Sequence, residues 1–411
     1  MLGNIVVGQS GGPTAVINSS LAGVFKTAKE LGAPKVYGMR YGIQGFLEKN
    51  LIDLDEKFPS EMDIELLKRT PSSYLGSCRM KLPKYKDDPA IYEKIFEILE
   101  EFEITAFFYI GGNDSMDTIK KLSNYAASIN SPICFIGVPK TIDNDLAVTD
   151  HTPGFGSAAK YIATVTKELI RDGLVYDAKR VTIIEIMGRN AGWLTGAAAL
   201  AKGEDCEGVD LLYLPEVPFD IDKFLAKTDE LLKKKNSIVI AVSEGIKTAD
   251  GKYVCEHGAH TDYVDVFGHK QLSGTAAYLA TLCNAKLDCK ARAVELSTLQ
   301  RCASHLSSRV DITEAYQVGG TAVVAASKGE TGKMVILKRV STTPYLCTTG
   351  LHDINMIANL EKTVPVEWIT EDGTNVSKQL VNYIFPLVQA ELSPMMVSGK
   401  PRHIVVDMDN M

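Results

Sequence analysis

Six short, almost unbroken apolar runs, separated by amphipathic stretches, leave this chain few architectures. They are "IVVG" (5–8), "ITAFFYIGG" (104–112), "ICFIGVPKT" (133–141), "VTIIEIMG" (181–188), "LLYLPE" (211–216) and "IVIAVSEG" (238–245). Between them lie helical patterns such as "PAIYEKIFEILEEF" and "SAAKYIATVTKELIRDGL". Strands apolar on both faces belong to parallel sheets covered by helices, and ligands of such sheets gather at the carboxyl ends of the strands. The spacing therefore predicts an α/β protein of doubly wound, mainly parallel sheets. At 411 residues it should divide into two or three domains. No strong repeat, low-complexity segment or long linker marks the borders.

Composition narrows the function. The formal charge of −7 lacks the basic excess that nucleic-acid binding requires, so small molecules are the expected partners. Eight cysteines without a C-x-x-C pair read as reduced thiols. No charged leader precedes "MLGNIVVGQSGG" and no apolar run reaches about 18 residues. The expectation is a cytoplasmic protein that neither binds nucleic acid nor enters a membrane.

Three glycine turns follow strands. Gly11 and Gly12 precede Pro13 and Thr14, which read as a helix start. Gly111 and Gly112 precede Asn113, Asp114 and Ser115, the serine reading as an N-cap or a hydroxyl ligand. Gly154 and Gly156 precede Ser157. Each turn alone is explained by tight local geometry, but three together favour a phosphorylated substrate. Between the second and third lies "VPKTIDNDLAVTD" (138–150), with Lys140, Thr141, Asp143 and Asp145 at a strand end. One reading is a polar turn in which Asp143 and Asn144 cap backbone N–H groups. The other is phosphoryl transfer, which needs cations on the phosphate and a carboxylate to take the acceptor's proton.

"GGNDSM", "PKTIDND", "TDHTPGFGSA", "MGRNAGW" and "ARAVELSTLQR", in that order, resemble the phosphofructokinase family over about residues 5–345. The resemblance implies two doubly wound domains with the active site between them. Residues 1–154 and 301–350 would bind the donor, and 155–300 and 351–411 the sugar phosphate. It implies Asp143 as general base on the sugar's 1-hydroxyl, oriented with the transferred group by Thr141 and Asp145. Met187, Gly188, Arg189, Glu244, Thr298 and Arg301 would line the sugar phosphate. Glu244, at a strand end, also reads as a helix cap or surface acid. Arg180 and Arg292 would reach the 6-phosphate of a neighbouring subunit, making a homodimer or homotetramer with shared sites. Thr298 stands where ATP-dependent members commonly have histidine.

The same resemblance speaks to the donor. ATP-dependent members usually carry glycine where this chain has Asp114 and Lys140, whereas members using inorganic pyrophosphate carry this acid and lysine. A carboxylate beside the α-phosphate position would repel ATP, and the ammonium would neutralise a smaller donor. Gly11, Gly12, Arg79, Ser115, Asp114 and Lys140 would then hold pyrophosphate. Mg²⁺ is the implied cofactor, with Asp114 and Asn113 beside it, although Asn113 replaces the family's usual aspartate and brings no charge. The expected reaction is reversible transfer from pyrophosphate to fructose 6-phosphate. Alternatives are an ATP-dependent kinase, sedoheptulose 7-phosphate as acceptor, and a catalytically silent regulatory subunit. The loop holding His257, His260, Asp262 and His269 lacks a zinc-binding frame and reads as surface.

Overall fold

The structure, a computed structural model, describes residues 2–258, 274–358 and 360–406. All six apolar runs form strands. The first sheet contains β1 (Asn4–Gln9), β2 (Val36–Met39), β3 (Leu51–Asp53), β4 (Ile104–Gly111) and β5 (Cys134–Pro139). The second contains β6 (Arg180–Ile186), β7 (Leu211–Tyr213), β8 (Ser237–Ser243) and β9 (Lys290–Glu295). The chain then returns to the first sheet as β10 (Lys333–Thr342) and β11 (Tyr345–Asp353).

Strand order in the first sheet is β11-β10-β5-β4-β1-β2-β3, and in the second β7-β8-β6-β9. The second sheet is wholly parallel. In the first, only β3 and β11 at the two edges run antiparallel to their neighbours. Side-chain alternation explains the double covering. Ile5, Val7, Ala106, Phe108 and Ile110 enter one core, while Val6, Phe107 and Tyr109 enter the core on the opposite face. Ile184, Ile186, Val239 and Ala241 divide in the same way from Val181, Ile183, Ile238 and Ile240. The carboxyl ends of β1, β4 and β5 thereby come side by side, facing the loops that leave β6 and β8.

Near its end the chain packs on both layers. Leu380 and Ile384 belong to a core of the second sheet, whereas Ile404 and Val406 lie against one of the first. Among the described residues, no helix is long and apolar enough to cross a membrane.

Candidate active site

The first glycine turn leaves β1 through Ser10, Gly11 and Gly12. Gly11 has φ 75°, which glycine adopts without a Cβ penalty, and a Cβ there would sit 3.2 Å from the Lys140 Nζ. Its carbonyl accepts from Ser77 Oγ at 2.7 Å. The helix does not begin at Pro13 and Thr14 as expected; it runs Ile17–Glu30. Thr14 Oγ1 accepts the Val16 N–H at 3.3 Å, a local turn that carries the chain away from β1 before the helix starts.

The second turn behaves as expected, since Gly111 and Gly112 lead into the helix Asn113–Ser128. Gly112 occupies the N-cap position, so Ser115 is a buried residue of the first helical turn and not the cap. A Cβ on Gly111 would overlap Ser115 Oγ at 1.8 Å. Asp114 forms an ion pair with Lys81 at 3.2 Å. Asn113 donates through Nδ2 to Asp145 at 3.3 Å, while its Oδ1 is a buried atom without a hydrogen-bond partner.

The third turn is no ligand cradle. The N–H groups of Gly154 and Ser157, which open the helix Phe155–Gly173, both donate at 2.8 Å to the buried carboxylate of Asp311. Burial pushes Asp311 up to about 6 despite those bonds. This helix N-terminus has its anion inside the chain.

From the end of β5, Lys140 is buried and donates to the Gly12 carbonyl at 2.8 Å. Burial draws its ammonium down to about 8, against the pull of Asp143 and Asp145. Asn144, at φ 56°, accepts the Thr152 N–H at 3.1 Å and donates to the Tyr383 hydroxyl at 2.9 Å. It is the local capping residue of the turn. Asp143 and Asp145 instead face open space, Asp143 accepting from Thr141 Oγ1 at 3.2 Å. Burial raises the pKa of Asp143, with Lys140 opposing, and pushes Asp145 up to about 7, with Asp143 and Glu361 adding to the effect.

Two adjoining cavities meet at these acids. The larger, about 620 Å³, is walled by Gly11, Gly12, Arg79, Lys81, Asn113, Asp114, Ser115 and Lys140. The smaller, about 280 Å³, reaches Met187, Gly188, Arg189, Asn190, Glu244 and Arg301. Lys140, Thr141, Asp143, Asp145 and Glu361 line both. Gly188 at the end of β6 has φ 140°, and a Cβ there would strike the Ala191 carbonyl at 2.6 Å. Its N–H donates to Glu244 at 3.3 Å. Burial lifts Glu244 to about 7; that N–H opposes the shift and Asp143 adds to it. Glu244 is therefore neither a helix cap nor a surface acid. Arg301, which lines the smaller cavity, brings its Nη1 to 3.0 Å from where a Gly12 Cβ would be.

Three predicted residues line neither cavity of their own chain. Arg180 begins β6, at the end remote from Met187, with its guanidinium 3.5 Å from the Tyr176 ring centroid. Arg292 lies on β9 and pairs with Asp172 at 2.7 Å. Thr298 is exposed beside the short helix Leu299–Cys302, and Gln300, not Thr298, contacts the loop after β6 by accepting the Met187 N–H at 3.3 Å. The short turn holds Gln300 inward, which leaves Thr298 outside. His257 stacks on Tyr278 at 6.2 Å between centroids. His260, Asp262 and His269 lie outside the described residues.

Lys81, Asn190 and Glu361 were not singled out as site residues by their sequence context. Lys81 sits in the basic stretch "SCRMKLPKYK" (77–86), whose lysines have the composition of a solvated loop, and Asn190 follows the recognisable Met187–Arg189 segment by one residue. Glu361 lies in a stretch without a motif.

Two layers of parallel sheet that meet over buried carboxylates, a buried lysine and glycine turns define a phosphotransferase site. The chain belongs to the phosphofructokinase family, whose pattern, described as Phosphofructokinase, matches residues 4–326. The pyrophosphate–fructose 6-phosphate 1-phosphotransferase of Halomonas elongata is 40% identical over 405 residues, 97% of this chain and 95% of that protein. The enzyme of the same name from Methylococcus capsulatus is 38% identical, covering 98% and 96% of the two chains. The crystal structure of a pyrophosphate-dependent phosphofructokinase from Nitrosospira multiformis superposes with a TM-score of 0.88 at 37% identity, covering 99% of this chain and 97% of that one.

Proposed function

We propose that this chain transfers a phosphoryl group reversibly from pyrophosphate to the 1-hydroxyl of fructose 6-phosphate, giving fructose 1,6-bisphosphate and phosphate. The observation that carries the donor assignment is the pair on the wall of the larger cavity, buried Lys140 and the Asp114 carboxylate. A small polyanion gains from the ammonium, while a nucleotide, which must extend past its β-phosphate, meets fixed negative charge and bulk. The similar relatives that carry pyrophosphate in their names support the same reading.

Asp143 takes the proton of the 1-hydroxyl. Burial makes its carboxylate more basic than an exposed aspartate, and the neighbouring Lys140 opposes that shift. Thr141, bonded to Asp143, fixes the direction from which the hydroxyl approaches. Arg189, Glu244 and Arg301 hold the sugar phosphate, and Arg79, Lys81 and Lys140 hold the donor. Both pyrophosphate and phosphate are small enough for the larger cavity, so the reaction runs in both directions.

The acid-rich junction suits a divalent cation, because Asn113 presents a buried carbonyl oxygen with no partner beside Asp145. Asn113, Asp145 and Asp114 would hold Mg²⁺, which would offset the negative charge of the transferring phosphoryl group. Arg180 and Arg292 act in the site of a second copy of the chain, so the working unit is a homodimer or homotetramer. Exposed Leu174, Val175 and Tyr176 beside Arg180 favour burial against such a copy. We divide the domains near 1–154 with 301–350 and 155–300 with 351–411, the first also keeping the end of β11 to Asp353 and the segment of Ile404 and Val406 that packs on it; the eight unpaired cysteines suit the cytoplasm.

Initial rates with pyrophosphate, ATP and polyphosphate at one fructose 6-phosphate concentration test the assignment. Turnover with pyrophosphate and little with ATP is expected; turnover with ATP and none with pyrophosphate overturns it.

A further inference from the structure

Glu361 lines both cavities, yet its role follows from none of the motifs. Its backbone forms an antiparallel bridge with Leu146, and the Lys362 N–H donates to the Asp145 carbonyl at 2.7 Å. Asn190 Nδ2 donates to both carboxylate oxygens, at 3.1 and 3.2 Å. One side of the cleft thus carries Glu361 along the Asp143–Asp145 turn while the loop after β6 orients its carboxylate. The side chain remains exposed to the cleft.

Charge makes this placement unfavourable unless a cation joins the donor. The larger cavity presents four acids, Asp114, Asp143, Asp145 and Glu361, against three cations, Arg79, Lys81 and Lys140. Such a wall does not by itself attract a polyanion. The acids are not equivalent, because Asp114 is paired with the Lys81 ammonium and Asp143 is bonded to Thr141 and feels Lys140 most strongly, whereas Asp145 and Glu361 accept from the neutral amides of Asn113 and Asn190. Asn113 offers its orphaned Oδ1 but no charge. Asp145 and Glu361 remain, on neighbouring zipped segments.

We propose that Glu361 is a ligand, directly or through water, of the divalent cation that accompanies pyrophosphate, and that it supplies the charge Asn113 lacks. The inference rests on the pyrophosphate reading above. An exposed carboxylate suits Mg²⁺, which commonly keeps several waters and takes only one or two carboxylates beside the substrate's phosphates.

The test is a binding measurement without turnover. Mn²⁺ retained by the enzyme in the presence of imidodiphosphate, a pyrophosphate analogue, is measured by equilibrium dialysis, in which the small Mn²⁺–imidodiphosphate complex passes the membrane and only protein-bound Mn²⁺ is held back. Glu361→Gln, which still accepts a hydrogen bond from Asn190, is expected to weaken Mn²⁺ retention about tenfold, and Glu361→Asp to weaken it less. Adding Asn113→Asp to Glu361→Gln is expected to recover most of the loss, because a carboxylate returns to the same junction. Wild-type retention of Mn²⁺ with an equal value for Glu361→Gln overturns the role of Glu361 alone. Failure of Asn113→Asp to recover any affinity overturns the charge argument. Failure of the wild type to retain Mn²⁺ with imidodiphosphate overturns the donor reading on which the inference stands.

Discussion

Replacing Lys140 with methionine separates what the lysine does for the donor from what it costs the ligand-free protein. Burial lowers its pKa from 10.5 to about 8 even with Asp143 and Asp145 nearby. That drop corresponds to about 3 kcal/mol against the charged form at neutral pH. Removing the charge therefore relieves the ligand-free protein by up to about 3 kcal/mol, a net figure that already includes the attraction of Asp143 and Asp145. The sign with pH follows from the depressed value. The penalty is complete below about pH 8 and absent above 10.5, so the wild type gains stability across that interval while Lys140→Met does not.

With pyrophosphate the effect reverses, because a desolvated charged contact worth about 1.5–3 kcal/mol is missing and affinity should fall at least about tenfold. Melting of both proteins from pH 7 to 10.5, with and without imidodiphosphate, and calorimetric titration of the analogue read these terms. A variant less stable than wild type without ligand, yet unchanged in affinity, would refute the reasoning. Lys140 would then be a strut on the Gly12 carbonyl and not the donor's charge.

Other outcomes follow from the same geometry. Asp143→Asn should keep sugar-phosphate and pyrophosphate binding while lowering kcat at least about a hundredfold, since only the proton acceptor is lost. Mixing it with inactive Arg180→Ala should restore part of the activity if sites are shared, and no recovery in proven mixed oligomers argues against sharing. Asp114→Gly combined with Lys140→Gly should raise the ratio of kcat/KM for ATP over pyrophosphate more than either change alone; a folded, active double variant with an unchanged ratio places donor choice elsewhere. Burial alone would discharge His151, but Glu314 and Asp150, at 2.6 and 2.8 Å, lift it to about 9. Its contribution is complete below pH 6.5 and lost as pH rises through about 9, so His151→Gln should lower the melting midpoint more at pH 6 than at pH 10. Equal losses at both values would count against a charged His151.

Much of this architecture is legible in the residues because the signal is local. The strands β1, β4, β5, β6 and β8 are buried on both faces, so each reads as a continuous apolar run whose end marks a ligand edge. Lys140, Thr141, Asp143 and Asp145 follow one such run, which is why their grouping needs no tertiary information. Three of the strands that escape this reading have physical reasons. β9, "KARAVE", leaves its alternate residues partly exposed and carries Lys290, Arg292 and Glu295, while β2 and β3 span only four and three residues.

What sequence cannot carry is the identity of a distant partner. Three glycine turns look alike as strings, yet only folding brings Asp311 onto the N–H groups of Gly154 and Ser157 and so removes the third from ligand binding. Asn144 and the two flanking aspartates are equally polar in sequence; Tyr383 and Thr152 draw the asparagine inward and leave the acids facing the cavities. Glu361 joins the site only because its segment zips to Asp145 and Leu146, and Asn190, 171 residues away in the chain, holds its carboxylate. Period and strand burial are properties of neighbouring residues, set by the alternation of side chains along a strand. Which acid meets a cation, an N–H group or open space depends on how separate layers pack, and that is decided only in the folded chain.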